Sequence, residues 1–149
     1  MYVFDIDGTL ADATHRLHHI QKEPKDWDAF NDPIRISKDL PIFPIIRIAN
    51  ALFTGKEHVI LLTGRRESTR KDTILWLNAY YIQYHALLMR PDGDQRCDYL
   101  VKLELLREYL AQRPVEERMV HTMFEDRNSA VQHFRQEGFH VCQVAEGDF

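Results

Sequence analysis

Two carboxylates near the start of the chain, Asp5 and Asp7, have residue types and a spacing that suit catalysis or metal binding. They follow an apolar run, Tyr2–Phe4, that is typical of a buried strand, and they precede Gly8 and Thr9, which favour a turn. Alternate residues of an extended segment point the same way, so both carboxylates can converge on one spot. Two carboxylates that close together require a metal ion or a shared proton. Taken alone, the stretch could also be a solvated turn.

Two later apolar runs also end in polar groups. The groups are Thr63, Gly64 and Arg65 after the run 58–62, and Glu125 and Asp126 after the run 119–124. The carboxyl ends of parallel strands lie along one edge of a sheet, which is where open α/β sheets bind their ligands. If the first strand is central and these two lie beside it, all three sets of polar groups meet at one place.

Apolar strands alternate with helical patterns along the whole chain. This alternation predicts an α/β fold, namely a doubly wound, parallel five-stranded sheet of the Rossmann-like kind. The remaining strands are expected at 86–89 and 140–144. Helices are expected at 42–53, at 69–81 with Thr69 and Asp72 as a capping box, at 100–110, and around 131–134.

We expect one domain over residues 1–149, with an insertion at about residues 11–40. That stretch is polar and interrupted by prolines. Thirty residues are long for a plain connection, so the stretch is predicted to form a small cap or lid over the strand ends.

Composition excludes several classes of protein. No stretch approaches the roughly 20 apolar residues of a membrane span, and no secretory signal is expected at the start. Cys97 and Cys142 are far apart and lack metal-binding spacing, which indicates reduced thiols and a cytoplasmic location. The formal net charge of −4 argues against a protein that coats nucleic acid, although it leaves room for a pocket that takes one phosphate.

The residue types favour phosphoryl transfer with Mg²⁺. Hard carboxylate oxygens suit Mg²⁺, which binds one or two carboxylates together with phosphate oxygens and water. A carboxylate held against Mg²⁺ stays ionised and can attack phosphorus. A second carboxylate can protonate the leaving oxygen and later activate water, while a cation and a hydroxyl hold the remaining phosphate oxygens.

With these residues in place, the sequence resembles the phosphatases of the haloacid dehalogenase (HAD) superfamily. The resemblance implies that Asp5 is the nucleophile and Asp7 the general acid/base. It also implies that Thr63 binds the phosphate and that Lys102, which opens a helix, stabilises both nucleophile and phosphate.

The same resemblance implies an Mg²⁺ site. Its ligands would be Asp5, the carbonyl of Asp7, and Asp126, with Glu125 beside them. The family usually carries two aspartates at the last two positions, so Glu125 is a departure from its pattern.

Within that superfamily the chain is similar to the 3′-phosphatase domain of the bifunctional phage polynucleotide kinase/phosphatase. In that family the arginines matching Arg16 and Arg65, and the aspartate matching Asp98, belong to the active site. The resemblance thus implies that these three residues and Gly64 bind the substrate or its phosphate. The chain has Thr-Gly-Arg where the family has Ser-Gly-Arg, and no Gly-x-x-x-x-Gly-Lys-Ser/Thr loop of a kinase occurs in it. The shared features are Arg16, Thr63-Gly64-Arg65, Asp98 with Lys102, Asp126-Arg127 and the tail Gln143-Val144-Ala145-x-Gly147-Asp148-Phe149.

The predicted function is therefore a Mg²⁺-dependent phosphomonoesterase that forms an aspartyl phosphate and acts on the 3′-phosphate of a DNA or RNA end. Alternatives are a nucleotidase, another small-molecule phosphatase, and a HAD-fold binding module without turnover. The sequence identifies no protein partner.

Two further groups of side chains in the insertion have more than one interpretation. His15, His18 and His19 are expected to form a polar surface rather than a zinc site. Trp27 and Phe30 could stack on a nucleobase, although a hydrophobic core within the insertion is the favoured interpretation.

Overall fold

The structure is a computed structural model that describes residues 1–147; Asp148 and Phe149, part of the terminal motif, lie outside the described residues. The chain alternates strands and helices over its whole length. In order, these are β1 (Tyr2–Phe4), β2 (Ala11–Asp12), α1 (Thr14–Leu17), α2 (Trp27–Phe30), α3 (Pro33–Ile36), β3 (Leu40–Pro41), α4 (Phe43–Thr54), β4 (Val59–Arg66), α5 (Arg70–Ala79), β5 (Ala86–Arg90), α6 (Asp98–Ala111), β6 (Thr122–Arg127), α7 (Asn128–Gln136) and β7 (Val141–Gly147).

Five of the strands form one sheet in the order β5-β4-β1-β6-β7, and every neighbouring pair is parallel. The central strand β1 is short and apolar; Val3 pairs with Ile60 on one side and with Met123 on the other. Because both faces of such a strand are covered, its side chains are apolar on both faces. The predicted fold class, with the first strand between β4 and β6, is confirmed.

Helices cover both faces of the sheet and enclose two hydrophobic cores. One core packs α4 and α5 against the sheet, with Ile46, Ala49 and Leu77 at its centre. The other packs α6 and α7 against the opposite face, where Leu106 and Phe134 are fully buried. The helices therefore hold the strand ends in fixed register from both sides.

Some local expectations from the sequence are wrong. Thr69 makes no capping bond to α5; its hydroxyl donates to the carbonyl of Arg66 at 2.8 Å, within a short 3₁₀ turn at Glu67–Thr69. Helix α5 ends at Ala79, so Tyr81, expected as the last residue of this helix, lies beyond it and is exposed, and Trp76 faces the core. The inner face is set by residues three and four apart within the helix, and Tyr81 has already left the helical conformation.

The insertion is closed at its base by a two-stranded antiparallel ribbon, in which Ala11 pairs with Pro41 and Asp12 with Leu40. Between β2 and β3 run the three short helices α1–α3. They enclose a small hydrophobic core of their own, formed by Ala13, Leu17, Ile20 and Phe30.

Among the described residues, no helix has both the length and the apolar character that crossing a bilayer demands.

Candidate active site

The three sets of polar groups predicted at strand ends meet at the carboxyl edge of the sheet. Asp5 directly follows β1, the residues Thr63–Arg65 close β4, and Glu125 and Asp126 lie near the end of β6. The pairing of β4 with β5 is irregular between Thr63 and Arg66, and that of β6 with β7 is irregular after Glu125. Irregularities of this kind at strand ends redirect side chains, and they are frequent beside active sites.

Lys102 joins Asp5 to two other carboxylates. Its Nζ lies 2.7 Å from Asp5 Oδ1, 2.8 Å from Glu125 Oε2 and 3.0 Å from Asp98 Oδ2. Helix α6 brings Asp98 and Lys102 to the same face because they are four residues apart. Burial favours a lower pKa for Lys102, but the three carboxylates outweigh it and raise the pKa well above its usual value, so the ammonium stays charged.

Asp5, Glu125 and Asp126 form an acidic cluster in which one oxygen of each lies within 4.8 Å of the others. Burial, followed by the neighbouring carboxylates, raises the pKa of Asp5 well above its usual range and that of Asp126 to about 7. Among the described residues, the buried Asp126 Oδ1 has no hydrogen-bond partner. These buried carboxylates need additional positive charge, and hard oxygens of this kind fit Mg²⁺.

Gly8 makes the approach of the first turn to this cluster possible. Its φ of +91° belongs to the left-handed region, and a Cβ at this position would lie 2.0 Å from Asp126 Oδ2. Only a residue without a side chain fits both constraints.

Glu125, which departs from the usual aspartate, has two structural contacts. Its Oε2 accepts the bond from Lys102, and its Oε1 accepts backbone N–H groups of Asp126 and Arg127, both at 3.2 Å. The additional methylene allows one carboxylate to serve both the lysine and the backbone at the end of β6.

Asp7 points its carboxylate away from the acidic cluster and toward two arginines. Arg16 Nη2 donates to Asp7 Oδ1 at 2.6 Å, and Arg65 donates through Nη2 at 2.6 Å and through Nε at 3.1 Å. Both guanidinium groups are fully buried and lie against Asp7 rather than along the cleft. Burial alone would raise the pKa of Asp7, but Arg16 and Arg65 reverse the effect and hold the pKa far below its usual value.

Asp39 is a fully buried residue of this site that the sequence did not reveal. Its two oxygens accept from Arg16 Nε and Nη2 at 2.8 and 2.7 Å, and from Arg65 Nη2 at 2.7 Å. Its backbone carbonyl accepts from Trp76 Nε1 at 2.9 Å. The two arginines and two aspartates form a closed, neutral cluster.

Asp98 lies between Lys102 and Arg90, whose Nη2 donates to Asp98 Oδ1 at 2.9 Å. Burial would raise the pKa of Asp98, but Lys102, Arg127 and Arg90 together lower it, so the group is ionised. Gly64 packs directly on this carboxylate, since a Cβ there would lie 2.2 Å from Asp98 Oδ1.

A cleft of about 950 Å³ opens above these groups. Asp5, Asp7 and Lys102 lie at its floor, the insertion supplies one wall through Ile20 to Asn31, and the segment from Arg90 to Tyr99 supplies another. Thr63 is buried beneath the floor, where its hydroxyl oxygen accepts the N–H of Arg65 at 3.2 Å.

The three histidines of the insertion do not gather around one point. His15 Nε2 lies 2.9 Å from Asp39 Oδ1, whereas the rings of His18 and His19 contact each other. Within residues 1–147, the one group of side chains placed to hold a metal ion is the acidic cluster, which contains no histidine.

The strand order of the parallel sheet, with Asp5 bonded to Lys102 at its carboxyl edge, defines a phosphatase of the HAD class. Comparison with known proteins makes the assignment narrower. The sequence matches the family described as the polynucleotide kinase PNKP phosphatase domain over residues 1–149. The chain belongs to this family.

Individual relatives agree with that assignment. A protein of Autographa californica nuclear polyhedrosis virus, named as a bifunctional polynucleotide kinase/RNA ligase, is 30% identical over 108 residues, which cover 71% of this chain and 14% of the viral protein. A chain in the structure of a Pnkp1/Rnl/Hen1 complex has a TM-score of 0.79 and 30% identity, covering 99% of this chain and 46% of its own length. This chain therefore spans less than half of these relatives.

A hydrolase from Streptococcus pneumoniae TIGR4 shares the fold alone. Its TM-score is 0.61 at 10% identity, covering 97% of this chain and 92% of that one.

Gly8→Ala tests the close approach of the first turn to Asp126. The added methyl group displaces the carboxylate, so we expect phosphatase activity to fall about 100-fold, as a misplacement of about 1 Å can cause. Gly138→Ala is the matched control, because Gly138 has a φ of +89° and open space around it. Steady-state phosphate release measures both variants; equal activity losses would contradict the role of Gly8.

Asp39→Asn tests the neutral cluster. Removing one carboxylate leaves two buried arginines with one counter-charge, and we expect the free energy of unfolding to fall by about 3–5 kcal/mol. Asp28→Asn is the control, since Asp28 pairs with Arg66 at the surface and such pairs contribute little. Urea unfolding followed by circular dichroism measures the difference, and similar midpoints for both variants would refute the prediction.

Proposed function

We propose that the chain is a Mg²⁺-dependent phosphomonoesterase that removes the 3′-phosphate from a DNA or RNA end through an aspartyl-phosphate intermediate. The observation that carries the proposal is the convergence of Asp5, Lys102 and Asp126 at the floor of one cleft, in a chain of the polynucleotide kinase phosphatase family. The chain spans 14% of the viral protein and 46% of the chain in the Pnkp1/Rnl/Hen1 complex, so their substrates are proposed for this chain and not transferred to it.

In the first half-reaction, an oxygen of Asp5 attacks phosphorus, and the bond from phosphorus to the nucleic-acid 3′-oxygen breaks. The leaving oxygen takes a proton from Asp7, which gives a free 3′-hydroxyl and a phosphorylated Asp5. Lys102, at 2.7 Å from Asp5, orients the nucleophile and stabilises negative charge on the transferring group. In that position the lysine acts on Asp5 and phosphate together.

In the second half-reaction, Asp7 takes a proton from water, and the resulting hydroxide attacks phosphorus. The bond from phosphorus to the Asp5 oxygen breaks, which releases inorganic phosphate and restores the Asp5 carboxylate. Arg16 and Arg65 keep Asp7 ionised, which is the state that accepts this proton. For proton donation in the first half-reaction, one of these contacts has to be released. Arg16 belongs to the insertion, so a movement of the insertion would release it.

The acidic cluster supplies the metal ligands in this proposal. Asp5, Asp126 and the carbonyl of Asp7 would hold Mg²⁺, with Glu125 bound to Lys102 beside them. When bound, Mg²⁺ neutralises charge on the phosphate oxygens and keeps Asp5 ionised. Thr63, which is predicted to bind the phosphate, lies buried beneath the floor of the cleft and contacts Arg65, and Arg65 acts on the reaction through Asp7.

Substrate choice is tested by phosphate release from four compounds, each with Mg²⁺ and with EDTA. They are a 3′-phosphorylated oligonucleotide, a 5′-phosphorylated one, and the nucleoside 3′- and 5′-monophosphates. We expect release from the 3′-phosphorylated oligonucleotide with Mg²⁺ and none with EDTA, because the acidic cluster needs the cation. Activity confined to 5′-monophosphates would show a nucleotidase instead.

Asp5→Asn tests the covalent mechanism. An amide cannot attack phosphorus, so we expect turnover to fall by about 10³-fold or more while the circular dichroism spectrum is kept. Asp92→Asn is the control, because Asp92 is an exposed acid outside the cleft. In the parent protein, acid quenching with labelled substrate should leave label on the chain that hydroxylamine removes. Substantial residual activity of Asp5→Asn would rule out attack by Asp5.

A further inference from the structure

The cleft is much larger than a phosphate group requires. Its volume of about 950 Å³ lies at the upper end of the range of about 300–1,000 Å³ found for small-molecule sites. The charged groups that would bind phosphate occupy its floor, so the space above is available for the remainder of the substrate. The wall formed by the insertion carries the apolar side chains Ile20, Trp27 and Phe30 among charged ones.

Trp27 is the one large exposed hydrophobic side chain among the described residues that line the cleft. Phe30, its neighbour in α2, is buried in the core of the insertion and covers the guanidinium of Arg16 at 4.2 Å. The two aromatic residues therefore have different surroundings. Phe30 stabilises the insertion, whereas 38% of Trp27 is exposed.

Contacts to the ring and to the backbone hold Trp27 in place, and Lys25 Nζ lies 5.8 Å from the ring centroid. The ring meets Phe30 edge to face, with centroids 6.0 Å apart and an angle of 86°. Asp26 caps α2 by accepting the N–H of Ala29 at 2.9 Å, and Asn31 Nδ2 donates to the carbonyl of Trp27 at 2.8 Å. A ring fixed in this way loses little conformational freedom when a second flat ring stacks on it.

We propose that Trp27 is the stacking platform for the nucleobase of the nucleotide that carries the phosphate. This inference rests on the proposed function, because it assumes that the phosphate at the floor belongs to a nucleotide. Every nucleobase has a π-face, so stacking on tryptophan tolerates any base. The site therefore distinguishes a nucleotide end from a phosphate ester without a base, and it does not select a sequence.

Trp27→Ala is compared with the parent protein on two oligonucleotides that carry a 3′-phosphate. One has a natural terminal nucleotide and the other a terminal abasic nucleotide. Stacking forms in the ground state, so its loss should raise KM for the natural end about 5- to 100-fold, with kcat unchanged. On the abasic end the variant and the parent protein should have the same KM.

Phe43→Ala is the matched control. Phe43 is also the first residue of a helix, is 53% exposed, and meets Tyr80 edge to face at 6.5 Å, but it lies outside the cleft. We expect its KM to equal that of the parent protein on both substrates. Trp27→Phe keeps a ring, and it should retain most of the affinity for the natural end.

The outcomes distinguish a failure of the stacking role of Trp27 from a failure of the proposed function. An equal rise of KM for the natural and abasic ends in Trp27→Ala, or an unchanged KM for both, would overturn the stacking role. If the parent protein releases phosphate from neither oligonucleotide, the proposed function fails instead.

Tryptophan fluorescence gives a second readout that needs no activity. Asp5→Asn is titrated with each oligonucleotide, and quenching is expected with the natural end and not with the abasic end. The other tryptophan, Trp76, is buried in the core and hydrogen-bonded to the carbonyl of Asp39, so the signal from a ligand in the cleft comes from Trp27. Equal quenching by both ends would contradict the proposal.

Discussion

The structure of the site depends on the balance of charge that is buried at the carboxyl edge of the sheet. Buried ions are tolerated when each is paired and hydrogen-bonded, and breaking such a pair is costly. Around Lys102 this balance is incomplete, because a single ammonium contacts Asp5, Asp98 and Glu125 while Asp126 lies beside them. Arg90 and Arg127 approach Asp98, and the other three carboxylates therefore carry the excess of negative charge. Burial, and then this excess of negative charge, raise the pKa values of Asp5 and Asp126.

The neighbouring cluster is balanced, unlike the one around Lys102. Asp7 and Asp39 face Arg16 and Arg65, two charges of each sign, all held by hydrogen bonds. A balanced cluster needs no further cation, and in this arrangement the two arginines favour the ionised form of Asp7. The unbalanced cluster beside it, which includes Asp5, has an excess of negative charge that a bound cation would offset. Two aspartates one residue apart thus experience opposite environments, with the pKa of Asp5 raised and that of Asp7 lowered.

The sequence could predict the parts of the site that local patterns determine. Apolar runs that end in polar residues located Asp5 and Asp126, because strand ends are short-range features and the parallel topology brings them together. Asp39 could not be found in this way. It lies in an irregular segment, and its arginine partners are 23 and 26 residues away in the chain. The predicted capping box at Thr69 was also wrong. The Thr69 hydroxyl bonds to the carbonyl of Arg66 within the 3₁₀ turn, so it is not available to the first turn of α5.

The insertion shows how the structure resolves an ambiguity that the sequence leaves open. Trp27 and Phe30 are both aromatic and lie three residues apart, so either could have formed the small core. The contacts of Arg16 distinguish the two residues. Its buried guanidinium needs an aromatic face and a carbonyl, and Phe30 provides both, with its ring at 4.2 Å and its backbone oxygen at 2.9 Å from Nη1. Phe30 is therefore fixed by the charge cluster that holds Asp7, and Trp27 is left facing the cleft. The charge cluster at the sheet edge thus reaches the insertion through Arg16. Because Arg16 contacts Phe30, Trp27 is the aromatic ring of α2 that stays exposed in the cleft.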